Sequence, residues 1–76
     1  MRVTQFETIF GRINVDTIDH PRWRYRASFE NVDTGPYSTF GWVNCGWTIN
    51  DAVTGLLDDH SELMMQMTEG LGQSQH

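Results

Sequence analysis

The chain has 76 residues, of which 38% are hydrophobic, 12% aromatic and 20% charged, with a formal net charge of -5. A chain this short buries only roughly 60% of its unfolded surface, which allows one sheet layer and one helical layer but not a deep enclosed active site. The composition excludes a disordered chain, no apolar run approaches the roughly 20 residues of a membrane span, and the single cysteine, Cys45, excludes an internal disulfide framework or a multi-cysteine zinc site.

Residues 3–10 alternate as a strand, with Thr4, Phe6, Thr8 and Phe10 on one face. Gly11 interrupts it, and residues 12–16 either prolong the strand past a bulge or form a separate one. Asp16 to Pro21 is a polar connection. Residues 22–32 read as the clearest strand, in which Trp23, Tyr25, Ala27 and Phe29 alternate with Arg22, Arg24, Arg26 and Ser28. Asp33-Thr34-Gly35-Pro36 predicts a turn, and residues 37–47 the returning strand of an antiparallel hairpin. Pairing Val32 with Tyr37 sets Phe29 against Phe40 and Ala27 against Trp42, with Val43, Cys45 and Trp47 on the arginine face.

Thr48 is placed to cap a helix, with Asp51 at its third position. Ile49, Ala52, Val53, Leu56 and Leu57 form one apolar stripe. Either Asp58-Asp59-His60-Ser61 breaks this helix in two, or the stripe continues through His60, Met64, Met67 and Leu71. Gly70 and Gly72 end it, leaving residues 73–76 as a frayed tail. The expected fold is a single α+β domain over residues 1–72. It comprises a three- or four-stranded antiparallel sheet covered on one face by one or two C-terminal helices. Trp23, Tyr25, Phe29, Phe40, Trp42, Val53, Leu56 and Leu57 are the expected core.

Charge is strongly segregated. Residues 1–26 carry all five arginines against Glu7, Asp16 and Asp19, a balance of +2. Residues 27–76 carry Glu30, Asp33, Asp51, Asp58, Asp59, Glu62 and Glu69 with no Lys or Arg, a balance of -7. Such a chain is repelled at long range by nucleic acids and anionic membranes and attracted to basic surfaces.

No catalytic or cofactor pattern emerges. Asp58, Asp59, His60 and Glu62 match no metal-loop spacing and read as a solvated helix junction. Cys45 lies in no catalytic signature and reads as a small buried hydrophobe. The glycines form no phosphate loop. Arg22, Arg24 and Arg26, with Trp47 nearby, have the ingredients of a nucleic-acid face. The interleaved aromatics point the other way, however, and the acidity of the chain argues against direct binding. Leu63, Met64, Met65 and Met67 suit core packing, with a partner contact at Met65 and Leu71 as the alternative.

Strands followed by Thr48-Ile49-Asn50-Asp51-Ala52 opening an amphipathic helix resemble the sheet-plus-helix core of HicB-type antitoxins over residues 22–60, with Asn44-Cys45-Gly46 echoing their glycine-rich segment. That resemblance implies a module neutralising an RNase toxin. In size, acidity and lack of chemistry the chain also resembles small phage-encoded anti-CRISPR inhibitors. This second likeness implies a cytoplasmic, non-enzymatic, cofactor-free protein that binds a basic protein or nucleoprotein complex. Glu30, Asp33, Asp58, Asp59, Glu62 and Glu69 are the expected partner-binding residues. Arg22, Arg24, Arg26 and Trp47 are the alternative nucleic-acid site. The expected oligomeric state is a monomer or homodimer. Residues 1–5 lack the apolar core of a signal peptide, which fits a cytoplasmic location.

Overall fold

A computed structural model describes residues 2–32 and 38–73, with side chains as far as Glu69. Strands β1 (Arg2–Thr8), β2 (Gly11–Thr17), β3 (Tyr25–Phe29) and β4 (Val43–Gly46) are followed by one helix, α1 (Ile49–Gln73). The strands form one antiparallel sheet in the order β1-β2-β3-β4. The fold is α+β, a four-stranded sheet with a C-terminal helix packed on it.

Residues 12–16 belong to a separate strand. Phe6 pairs with Ile13 and Thr8 with Gly11, so Ile9 and Phe10 form the tip of a tight hairpin. Thr8 closes the turn through its hydroxyl, which donates to the Gly11 carbonyl at 2.7 Å and accepts from the Phe10 amide at 3.1 Å. The strand expected over residues 22–32 is shorter, because the chain bends before it. The Arg22 amide donates to Nδ1 of His20 across Pro21 at 3.0 Å, and regular pairing starts only at Tyr25.

The returning strand is also shorter than residues 37–47. Residues 39–42 make a turn, with the Trp42 and Val43 amides donating to the Thr39 carbonyl. The predicted turn at residues 33–36 lies outside the described residues. Ala27 pairs with Asn44 rather than Trp42, and Ser28 with Val43. The register therefore differs from the expected one by two residues. A shift of two preserves the side-chain faces, so Val43 and Cys45 do share a face with Arg26, as expected.

The core lies between the sheet and α1. It comprises Ile13 and Val15 from β2, Ala27 and Phe29 from β3, and Ala52 and Leu56 from the helix, with Tyr25, Val53 and Leu57 at its margin. Trp23, Trp42 and Phe40 are 36–48% exposed and are not core residues. All three lie outside regular strands, where sequence alternation no longer dictates a face. Their expected place is taken by β2, whose central position covers Ile13 and Val15 on both sides.

A single helix forms. The Thr48 hydroxyl accepts the Asp51 amide at 3.0 Å, capping the N-terminus. Residues 58–61 do not break α1, because His60 is buried and continues its inward line. At Gly55 the helix lies directly against the Asn44 side chain, whose amide donates to the Ala52 carbonyl at 3.1 Å. A Cβ at residue 55 would collide with that amide. The glycine thus allows close packing against a polar residue of β4. The helix contacts β4, β3 and β2 and leaves β1 uncovered. With strands ~4.8 Å apart and a helix ~10 Å wide, one helix covers about two strands.

Candidate functional site

The outer face of α1 carries an acidic ridge. Asp58, Glu62 and Glu69 follow Asp51 by 7, 11 and 18 residues. At about 100° per residue these positions fall within about 20° of one line along the helix. All four residues are exposed, and the ridge is about 27 Å long at 1.5 Å per residue. Among the described residues none of the four carboxylates pairs with a cation, and the last turn of α1 contains no basic residue. Glu62 accepts a weak hydrogen bond from Gln66 at 3.3 Å.

This arrangement costs the helix stability. Asp51 suits the positive end of the helix dipole, whereas Glu69 sits toward the negative end. Asp58 and Glu62 are like charges four residues apart, which opposes helix formation by roughly 0.2–0.5 kcal/mol.

The six carboxylates singled out in the sequence do not form one cluster. Asp58, Glu62 and Glu69 share the ridge with Asp51, which sequence reading had treated only as a helix-start residue. The helical interval of seven residues was the signal that could have added it. Asp59 is half-buried and turned about 80° from the Asp51 line. Glu30 lies beyond the end of β3, and Arg12 bridges it to Glu7: the Arg12 Nε donates to Glu7, and its Nη1 is 3.7 Å from Glu30. The hydrogen bond to Glu7, then the charges of Glu7 and Glu30, raise the Arg12 pKa. Asp33 lies outside the described residues.

The arginines are not arrayed on one strand. Arg22 and Arg24 precede β3, and only Arg26 lies within it. The Arg24 guanidinium lies 5.8 Å from the Tyr25 ring centroid, where cation–π attraction holds it. Arg26 sits in register with Asp16 on one side and Cys45 on the other. Trp47 follows the end of β4 and is exposed. Cys45 is half-buried rather than buried. Desolvation pushes its thiol pKa up, partly opposed by the charge of Arg26.

His60 is the largest departure from the sequence reading. It is a buried hub rather than part of a solvated junction. Its ring is 5% exposed and meets Phe29, Phe10 and Trp42 at centroid distances of 4.4, 4.9 and 4.9 Å. Its Nδ1 lies 2.8 Å from the Gly41 carbonyl, and since a carbonyl only accepts, Nδ1 carries the proton. Gly41 has φ +82° and lies close against Leu63, so a side chain there would be strained and crowded. His60 thus ties α1 to the β1–β2 hairpin and to the turn before β4.

Beside His60 a groove of about 410 Å³ runs between Phe10 and the helix, lined by Ser61, Met64, Met65, Thr68 and Glu69. Among the described residues no group of three His, Cys, Asp or Glu side chains is placed to hold a metal ion, and no helix is long and apolar enough to cross a membrane. No protein-family model, curated protein or solved structure matches the chain.

Proposed function

We propose that the protein is a non-enzymatic inhibitor of a basic, nucleic-acid-handling protein complex, acting in the cytoplasm as an anti-CRISPR-like anti-defence protein. The observation that carries this reading is the acidic ridge of α1. Of the four exposed carboxylates on one line, with no intervening cation, only Asp51 favours the helix that bears them, so helix stability does not account for Asp58, Glu62 and Glu69. Their spacing of about 6–11 Å along the axis is coarser than one phosphate per 3.4 Å of a nucleic-acid strand. It suits occupation of a few arginine or lysine positions in a phosphate-binding channel. Charge of this kind speeds encounter and selects the partner, while an apolar anchor supplies much of the affinity. Met65, exposed beside the ridge, is the candidate anchor.

The test is capture from nuclease-treated bacterial lysate on immobilised protein, comparing wild type with the Asp58→Lys/Glu62→Lys variant. The expected result is a stoichiometric basic protein that wild type retains, that elutes as salt rises, and that the variant loses. The captured partner, eluted free and loaded with an oligonucleotide, should release it when wild-type protein is added. Equal capture by the charge-reversed variant rejects the ridge. Asp58→Lys/Asp59→Lys should weaken capture less, because Asp59 points away from the ridge.

A further inference from the structure

Among the described residues, nothing covers the helix-side surface near the β1–β2 hairpin. The helix does not reach β1, and Phe6 on that strand pairs with the core residue Ile13 yet is 39% exposed. Met67 is placed 11 residues after Leu56, about 20° from the same helix line, but Leu56 is fully buried and Met67 is 55% exposed. The inward stripe of α1 thus continues beyond the sheet that it covers. At the hairpin tip Ile9 is 94% exposed, next to Phe10, which forms one wall of the 410 Å³ groove.

We propose that this surface is the interface of a two-fold homodimer, in which Ile9 of each copy inserts into the groove between Phe10 and Met64/Met65 of the other. Knob and hole are adjacent on one chain, so a two-fold axis near Phe10 satisfies both at once, as an isologous interface requires. The area is also sufficient. At roughly 200 Å² for a large side chain, the exposed parts of Phe6, Ile9, Phe10 and Met65 amount to about 470 Å²; Met67, on the opposite side of α1 from Met65, is not counted. With roughly 60% of an interface apolar, that corresponds to about 800 Å² per copy, the usual size of a stable contact. The groove is lined mainly by neutral side chains, with Glu69 as its one charged residue, so a second neutral surface suits it better than a basic one. This inference does not rest on the partner reading, but it uses Met65 and Glu69 of the same helix surface, so a dimer and a basic partner would compete for that end of the ridge.

Sedimentation velocity from 1 to several hundred micromolar tests it. Wild type should dimerise, and the dimer should tighten as salt rises, because two chains of charge -5 repel each other. A basic partner on the ridge would respond to salt in the opposite sense. Ile9→Asp should weaken the dimer by roughly a hundred-fold or more while leaving the thermal midpoint of the monomer within a few degrees, since Ile9 packs on little within its own chain. As a positional check, Ile9→Cys protein mixed with Met65→Cys protein, both carrying Cys45→Ser, should form a mixed disulfide on mild oxidation. A monomer at every concentration overturns the proposal. So does a dimer that Ile9→Asp leaves intact, or a mixture that fails to cross-link.

Discussion

Replacing His60 with alanine removes the ring that joins three parts of the fold, and its cost can be worked from the surrounding contacts. The ring is buried against Phe10, Phe29 and Trp42, so truncation resembles a large aromatic-to-alanine change in a core, at about 3–5 kcal/mol. The same change leaves the Gly41 carbonyl without its donor, a further loss of roughly 1–3 kcal/mol unless water enters the cavity. A net loss of about 4–8 kcal/mol is expected, the lower end if water satisfies the carbonyl, against a total of roughly 4–11 kcal/mol for a domain of this size. His60→Phe separates the two contributions. It keeps a ring for the three aromatic contacts and loses only the hydrogen bond, so it should cost about 1–3 kcal/mol. The measurement is urea unfolding followed by tryptophan fluorescence and far-ultraviolet circular dichroism. Thermal midpoints should fall by roughly 4–8 °C per kcal/mol. A loss below about 1 kcal/mol for His60→Ala would refute the hub, given the usual cost of such truncations. A His60→Phe protein as stable as wild type would refute the role assigned to the Gly41 hydrogen bond.

Gly55→Ala normally stabilises a helix by about 1 kcal/mol, but here it should destabilise by roughly 1–3 kcal/mol, because the new Cβ meets the Asn44 amide. Adding Asn44→Ala should restore part of that loss, and a stabilising single Gly55→Ala in chemical denaturation would contradict the close approach. Burial raises the Cys45 pKa against the opposing charge of Arg26, so iodoacetamide at mildly alkaline pH should label the folded protein more slowly than the urea-unfolded chain. Arg26→Gln should slow labelling further, and faster labelling of the folded protein would reverse the assignment. Because the folded state disfavours the thiolate, this group's contribution to stability is fully present below the ordinary thiol range. It is lost as pH rises through the raised value.

Local signals in the chain are read correctly wherever one residue's chemistry decides the outcome. Thr48 caps α1 because a side-chain oxygen there meets an otherwise unpaired amide. The alternation of Tyr25, Ala27 and Phe29 gives the right face because strand geometry repeats every two residues. The carboxylates of the ridge were legible as a charge run. Their alignment with Asp51 needed only the decision that α1 is continuous, and the buried His60 is what makes that decision.

The sequence by itself determines the α+β class, the capped helix, the alternating strand faces and the segregation of charge, since these follow from spacing and composition along the chain. The tertiary structure decides that β2 is central and supplies the core pair Ile13 and Val15, while Trp23, Phe40 and Trp42 stay partly exposed. It also decides the two-residue register between β3 and β4, and it gathers Phe10, Phe29, Trp42 and His60 from four segments around one ring. Burial at these positions depends on which distant segments meet, and a histidine shows no preference for core or solvent until its partners surround it. Asp51, Asp58, Glu62 and Glu69 stay exposed, and among the described residues no cation is brought against them.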